Sequence, residues 1–143
     1  MAEGAFRASA QRRGLDCLVD SAGTAAYHVG NPPDPRAIAT AAANGIDIAG
    51  QRARQIDRDD FFRFTHIVAL DRANLEGVRV RAPRDATARL SLMMDAVDGH
   101  RGDGVADPYH GDAETFAATW EIISLGVDAW VRRLINEGAD LKV

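Results

Sequence analysis

Within five residues, the stretch Asp107-Pro108-Tyr109-His110-Gly111 combines a carboxylic acid, an aromatic ring and an imidazole. Pro108 holds its own φ at about −65° and biases Asp107 toward an extended backbone. Gly111 allows the chain to turn sharply before the next helix. Taken alone, such a stretch is more typical of a surface turn that caps a helix. Its residue types also suit a proton donor that is held at a fixed angle beside an aromatic wall.

Short apolar runs alternate with helical patterns along the chain, and this alternation indicates a parallel α/β sheet. Strands are predicted for Leu15–Asp20 and His66–Leu70, with a weaker one for Leu90–Met94. Helices are predicted over residues 1–13, about 35–43, 73–78 and about 113–135. The apolar side chains of the last helix recur at helical spacing, so we interpret them as core packing.

Three polar segments are expected at one edge of this sheet. Ser21–Thr24 follows the first strand, Asp71–Asn74 follows the second, and Asp107–Gly111 comes after the third. In open parallel sheets, ligands bind beyond the carboxyl ends of the strands. The sequence therefore predicts that a functional site combines residues from these three segments.

The composition is that of an ordinary globular protein with a single domain over residues 1–143. Apolar residues make up 46% of the chain and charged residues 27%. The net charge of −4 argues against nucleic acid as a partner. Arg79, Arg81 and Arg84 form a local basic cluster, which is typical of a solvated face.

Cys17 is the one cysteine, so the chain cannot form an internal disulfide and the cytoplasm is the expected compartment. No apolar run approaches the roughly 18 residues of a membrane span, and residues 1–4 do not begin a signal peptide. His28, His66 and His100 lack the paired spacing of metal ligands. We expect neither a metal nor another cofactor.

Several stretches, taken together and in order, resemble the low-molecular-weight protein tyrosine phosphatases. They are Met1-Ala2-Glu3-Gly4, Asp20-Ser21-Ala22-Gly23-Thr24, Gly30-Asn31-Pro32-Pro33-Asp34-Pro35-Arg36, Ala53-Arg54-Gln55-Ile56, Asp71-Arg72-Ala73-Asn74-Leu75 and Asp107-Pro108-Tyr109. The resemblance covers nearly all of the chain. It implies a four-stranded parallel sheet with helices on both faces, and hydrolysis of phosphotyrosine through a phosphocysteine intermediate.

The resemblance also implies roles for residues near the substrate, which would be a phosphotyrosine-containing protein or a small aryl phosphate. Asp107 matches the general acid that protonates the leaving phenol. Tyr109 and Tyr27 match aromatic residues that line the entrance. His110 stands where the family commonly has a second tyrosine, and an imidazole there would line the entrance or carry charge near neutral pH.

Three further residues match positions that support the phosphate loop of the family. Ser21 matches a hydroxyl that braces this loop, and Asp71 matches an acid near the site. Gln51 stands where the family often has a bracing histidine, and its amide can donate and accept hydrogen bonds but cannot become charged.

The nucleophile of the family is expected to be absent from these 143 residues. In the family, the Met-Ala-Glu-Gly element directly follows a Cys-x5-Arg phosphate loop, but here it is residues 1–4. Cys17 cannot begin such a loop because position 23 is Gly23. We therefore expect an N-terminally truncated domain without its first central strand, with unmatched edges on Leu15–Asp20 and His66–Leu70. The chain alone is predicted to be inactive and to fold poorly.

Alternative functions remain open at this point. The chain could be a phosphatase-like binding or regulatory protein that has no turnover. An arsenate reductase of the same fold is less favoured, because that chemistry normally needs additional resolving thiols and the chain has one cysteine. The sequence leaves the physiological substrate and the oligomeric state open.

Overall fold

Helices and parallel strands alternate along the chain in a computed structural model that describes residues 1–138 and 141–143. Within these residues the helices are α1 Ala2–Arg12, α2 Pro35–Ala43, α3 Asp60–Arg63, α4 Arg72–Arg81 and α5 Ala113–Glu137. The strands are β1 Cys17–Leu18, β2 His66–Ala69, β3 Arg89–Leu92 and β4 Leu141–Lys142, and a 3-10 helix covers Met93–Ala96. The predicted α/β fold with parallel strands is confirmed.

Local sequence explains where the principal helices begin. The Asp34 carboxylate accepts the backbone N–H of Arg36 at 2.8 Å, directly before Pro35 opens α2. Asp112 caps α5 in the same way and accepts the N–H of Thr115 at 2.9 Å. These caps satisfy amide groups that have no partner inside the helix. The predicted beginnings of both helices are therefore correct.

The strands depart from the sequence prediction in length. The first was expected to be buried from Leu15 to Asp20, but β1 pairs over two residues only and Leu18 is 45% exposed. The third was expected to reach Met94, but β3 ends at Leu92 and the 3-10 helix follows. The short strand β4 was not predicted. A run of apolar residues in the sequence indicates a strand. The number of residues that pair, however, depends on how far a neighbouring strand runs beside it.

The strands form two parallel pairs. β1 pairs with β4, with Cys17 opposite Leu141, and β2 pairs with β3, with His66 opposite Arg89. In the described parts of the chain, these pairs are separate two-stranded sheets. A groove lies between them, and Val19 lines it together with residues of β2.

The apolar face of α5 forms the centre of the core, as the helical spacing predicted. Its buried side chains include Phe116, Trp120, Ile123, Val127, Trp130, Val131 and Leu134. A Cβ atom on Gly126 would lie 2.7 Å from Met93 Cγ, so glycine permits this close approach. Neither this long helix nor any other in residues 1–138 and 141–143 has the combined length and apolarity to cross a membrane.

Alternate residues of β2 and Leu70, which directly follows it, contact different apolar clusters. Val68 and Leu70 pack against the large cluster that contains α1, α2 and α5 side chains. Ala69 packs with Leu75 of α4 and Leu92 of β3 in a smaller cluster. Since successive strand side chains point to opposite faces, helices cover both faces of this sheet. The layered arrangement implied by the sequence is therefore correct.

The expectation of poor folding stays a prediction. Strand edges that border a groove lose backbone hydrogen bonds worth about 0.5–1.5 kcal/mol each, against a total stability of about 5–15 kcal/mol for a typical domain. We expect the purified 143-residue chain to melt over a broad range at low temperature when followed by circular dichroism. A sharp cooperative transition near the temperatures typical of intact domains would contradict this expectation.

Candidate active site

Backbone contacts join two of the segments predicted at the carboxyl edge, and a further contact holds the third. The N–H of Val105 donates to the Leu70 carbonyl at 2.8 Å, which fixes the approach to the acid loop at the end of β2. Gly104 packs against Asp71, because a Cβ atom built on Gly104 would lie 3.1 Å from the Cβ of Asp71. The N–H of Gly23 donates to the Arg54 carbonyl at 2.9 Å, and this bond holds the loop after β1.

The acid loop, residues 107–111, holds its carboxylate by local hydrogen bonds. Asp107 is exposed, and its Oδ1 accepts the N–H of Tyr109 at 3.0 Å. The N–H of Gly111 donates to the Pro108 carbonyl at 2.8 Å and closes the turn. The ring of Tyr109 is 60% exposed and meets the His110 ring edge-on, with 5.0 Å between their centroids. The loop therefore presents a carboxylate and two adjacent rings to solvent.

Arg36 links the acid loop to the beginning of α2. Its Nη2 donates to the Tyr109 carbonyl at 2.8 Å, and its Nη1 donates to the Gly111 carbonyl at 2.9 Å. The guanidinium also pairs with Asp34 at 2.8 Å and lies 4.6 Å from the centroid of the Phe116 ring. The hydrogen bond from Arg36 lowers the pKa of the Asp34 carboxyl. Sequence reasoning gave Arg36 no role, although it lies in one of the stretches that carry the resemblance.

Ser21 is engaged by the first turn of α1. Its hydroxyl donates to Glu3 at 2.7 Å, and Arg7 donates to the other Glu3 oxygen at 3.0 Å. Arg7 also donates to the Val19 carbonyl at 2.8 Å. This chain of hydrogen bonds fixes the end of the first strand segment relative to α1, so the Ser21 hydroxyl has a positioning contact at the expected edge.

Arg54 is the second arginine that sequence reasoning missed. It makes a bidentate ion pair with Asp60, at 2.9 and 3.1 Å, and its Nε donates to Asp20 at 3.2 Å. Asp60 is only 4% exposed. Burial opposes ionisation of Asp60, but the hydrogen bonds from Arg54 and from the Asp57 N–H outweigh it and lower the pKa of this carboxyl. The pair anchors the segment that holds the loop after β1.

The remaining predicted residues occupy separate positions around this edge. Asp71 caps α4 by accepting the N–H of Asn74 at 2.7 Å. Tyr27 is 80% exposed, and its ring is tilted against that of His28, with 4.3 Å between ring centroids. The Gln51 side chain lies beside the first turn of α1, with its Nε2 3.6 Å from the position of a Cβ on Gly4. None of these contacts joins Asp71, Tyr27 or Gln51 to the acid loop.

The thiol of Cys17 lies on β1, half-buried, with its Sγ 3.5 Å from the Leu18 carbonyl. Burial raises its pKa, although a backbone hydrogen bond from Val143 acts in the opposite direction. A thiol with a raised pKa carries little thiolate near neutral pH, and the thiolate is the nucleophile. The environment of Cys17 is thus unlike that of an activated cysteine. Among the described residues, no group of three or more His, Cys, Asp or Glu side chains is placed to hold a metal ion.

Comparisons with known proteins agree on one family. The family profile described as low molecular weight phosphotyrosine protein phosphatase matches residues 1–140. A Schizosaccharomyces pombe low molecular weight phosphotyrosine protein phosphatase is 35% identical over 119 residues, which cover 81% of this chain and 76% of the relative. The Bacillus subtilis low molecular weight protein-tyrosine-phosphatase YfkJ is 32% identical over 139 residues, 96% of this chain and 88% of the relative.

Solved structures show the same similarity. A protein tyrosine phosphatase from Entamoeba histolytica superposes with a TM-score of 0.88 at 25% identity, covering 95% of this chain and 88% of its own. The crystal structure of YfkJ from Bacillus subtilis gives a TM-score of 0.86 at 30% identity, covering 96% and 87%. The fold described above is therefore shared with phosphatases over nearly its whole length.

Replacing Arg36 with methionine is expected to loosen the acid loop. Loss of two charge-assisted hydrogen bonds to the loop carbonyls would speed exchange of the Tyr109 and Gly111 amides by about tenfold or more. Hydrogen exchange measured by NMR tests this. Arg52→Met is the matched control, because Arg52 also donates to two carbonyls but within its own segment. Equal exchange in both variants would show that Arg36 does not hold the loop.

Replacing Asp60 with asparagine is expected to cost about 1–3 kcal/mol at pH 7, because Arg54 loses its buried counter-charge. The folded pKa of Asp60 is lowered, so its contribution is present above the unfolded value of about 3.9 and is lost as the pH falls through the lower folded value. Urea unfolding of wild type and variant should therefore differ most above about pH 5 and converge below pH 4. Asp59→Asn is the control, since Asp59 is exposed and its side chain makes no capping bond. A difference that stays constant with pH would contradict this assignment.

Proposed function

Because the chain belongs to the low molecular weight phosphotyrosine protein phosphatase family, we propose that its site hydrolyses phosphotyrosine with Asp107 as the general acid. The observation that supports this most is the construction of the acid loop. Asp107 is held by the Tyr109 N–H, and Arg36 holds two carbonyls of the same loop. A proton donor has to be kept at a fixed position relative to the oxygen that it protonates.

The proposed chemistry has two steps. A cysteine thiolate attacks phosphorus and the P–O bond to the phenol breaks, while protonated Asp107 donates its proton to the departing oxygen. Water then attacks the phosphocysteine with Asp107, now a carboxylate, accepting a proton. The thiolate and inorganic phosphate are released, so the enzyme returns to its starting state.

The 143 residues contain no Cys-x5-Arg sequence, so we propose that they do not turn over substrate by themselves. Cys17 is a poor substitute, since burial raises its pKa and position 23 is Gly23 instead of arginine. Catalysis on this site requires a thiolate and a phosphate-binding arginine at the carboxyl edge. Ser21, Asp71 and Gln51 are proposed to support a phosphate loop in that place.

The substrate is proposed to be a phosphotyrosine-containing protein or a small aryl phosphate. Tyr109 and Tyr27 expose 60% and 80% of their surface, and the ring of each lies within 5.0 Å, centroid to centroid, of the histidine that follows it. Exposed rings at an entrance suit the flat ring of phosphotyrosine.

A lone half-buried thiol fits a reducing compartment, and the continuous core fits one domain. We accordingly propose the cytoplasm as the location.

A second candidate function is binding without hydrolysis. Since the 143 residues hold no Cys-x5-Arg sequence, the chain would in this case act as a phosphatase-like binding or regulatory protein without turnover. In this alternative the aromatic entrance keeps its role, but Asp107 does not act as an acid. The two functions are distinguished by turnover after a phosphate loop is supplied, which only the hydrolase would show.

An aryl phosphate assay on two proteins tests the proposal. The 143-residue chain should release no p-nitrophenol above the blank, whereas the chain extended at Met1 with a strand and a Cys-x5-Arg loop should turn over. In the extended protein, Asp107→Asn should lower kcat by about 10²–10⁴, the range for loss of general acid catalysis. Asp103→Asn is the matched control, because Asp103 is an exposed carboxylate paired with His100.

Three results would change the assignment. Turnover by the unextended chain at the rate of the extended one would mean that the nucleophile has been misidentified. An unchanged kcat for Asp107→Asn would remove the general acid. An inactive extended protein that still binds a phosphotyrosine peptide would favour the binding protein.

A further inference from the structure

A polar cavity of about 250 Å³ lies between α1, the turn that follows α2 and the middle of α5. Its polar lining comes from Arg12, Asn44, Glu121, Ser124 and Asp128. Among the described residues, one guanidinium and two carboxylates give this lining one net negative charge. The described residues that line it exclude the three polar segments of the carboxyl edge, so the cavity is separate from the candidate active site.

The carboxylate of Asp128 is held in place but keeps one oxygen for a ligand. The fully buried hydroxyl of Ser9 donates to its Oδ1 at 2.6 Å, and Arg12 Nη2 lies 3.7 Å from the same oxygen. In residues 1–138 and 141–143, both contacts of this carboxylate fall on Oδ1, so Oδ2 can accept a hydrogen bond from a ligand. The Arg12 contact is longer than the about 2.7–2.9 Å of a charge-assisted hydrogen bond, so its guanidinium has donors left for an anion.

A second group of acceptors lies two helical turns away on α5. Glu121 precedes Asp128 by seven residues, which places both on one face of the helix, about 10.5 Å apart along its axis. Ser124 lines the cavity between them. Across the cavity, Asn44 Nδ2 donates to the Thr40 carbonyl at 2.9 Å, which leaves the amide oxygen as an acceptor. This end of the cavity therefore suits a cation.

We propose that this cavity binds a free α-amino acid with a cationic side chain, of the lysine type. Its carboxylate pairs with Arg12 and its α-ammonium with Asp128 Oδ2, since these two groups are neighbours in the cavity as the two charges are neighbours in the ligand. Its side-chain cation binds Glu121 and the amide oxygen of Asn44. The single positive net charge of such a ligand balances the net negative charge of the described lining.

The floor of the cavity suits the apolar part of this ligand. Trp120 and Val127 are buried beneath the two acidic positions of α5, and Ala5 and Ile46 complete the apolar lining. A stem of about four methylene groups can lie on such a surface while its charged end reaches polar groups. The volume is below the about 300–1,000 Å³ of sites for drug-sized molecules, which suits a ligand of about ten non-hydrogen atoms.

Isothermal titration calorimetry of the 143-residue chain with L-lysine tests the proposal. We expect a saturable heat of binding. The melting midpoint by circular dichroism should also rise with L-lysine, because a ligand that binds the folded state stabilises it. L-norleucine lacks the side-chain ammonium and 1,5-diaminopentane lacks the carboxylate. Each should therefore bind more weakly than L-lysine by about tenfold or more.

Charge-removing variants locate the binding site. Glu121→Gln and Arg12→Gln each remove one charge from an exposed side chain of the lining and should weaken L-lysine binding by about tenfold or more. Glu114→Gln and Arg13→Gln are the matched controls. Both residues are exposed and lie outside the lining, so these variants should bind L-lysine like the parent chain.

The proposal is overturned if L-lysine gives no saturable binding or if L-norleucine binds equally well. Equal binding of 1,5-diaminopentane would also overturn it, because the carboxylates would then attract cations without recognising an amino acid. Unchanged affinity in both Glu121→Gln and Arg12→Gln would place any binding elsewhere. These measurements record binding alone, so they are independent of the proposed hydrolysis.

Discussion

Burial of one face of α5 is the interaction on which the remaining structure depends. A fully buried large apolar side chain contributes about 1.5–3 kcal/mol, and seven such side chains of this helix are buried. The Trp130 Nε1 donates to the Met93 carbonyl at 2.8 Å, which fixes the helix against the end of β3. α1 and α2 both pack on α5. The position of α5 therefore sets where the first turns of α1 and α2 lie relative to the ends of the strands.

The loops around the carboxyl edge bury few apolar side chains, and hydrogen bonds and ion pairs of two arginines hold them in place. A guanidinium has five N–H donors, so one arginine can bind a carboxylate and two carbonyls at once. Arg36 does this for the acid loop, and Arg54 connects Asp60, Asp20 and the loop after β1. Asp60 is buried, so its pair with Arg54 is screened by solvent less than a fully exposed pair would be. Loops that carry exposed chemical groups are thereby given defined positions.

Two features of the molecule meet at the same edge. The acid loop is supported by α2 and by the end of β2, while the groove beside β2 opens toward the loop after β1. Within the described residues, no strand pairs with β2 on its groove side. The proposed proton donor Asp107 is held by the Tyr109 N–H, and Arg36 holds its loop. The Cys17 thiol, by contrast, lies on β1 in an environment that disfavours the thiolate.

Much of this arrangement was determined by local sequence. The alternation of elements, the beginnings of α2 and α5 and the buried stripe of α5 follow from caps and periodicity that act within a few residues. The turn of the acid loop is equally local, since Pro108 and Gly111 lie inside it. The stretches that resemble phosphatases were visible for the same reason, because each is short and their order is preserved.

Only the tertiary structure decided which distant groups meet. Arg36 binds carbonyls 73 and 75 residues away, and Ser21 binds Glu3 across 18 residues. The shortness of β1 and the pairing of β4 likewise depend on which segments run side by side. Backbone preference and side-chain spacing describe a chain over one or two turns. Hydrogen bonds across such separations form only after packing has brought two surfaces together, so no local pattern in the sequence records them.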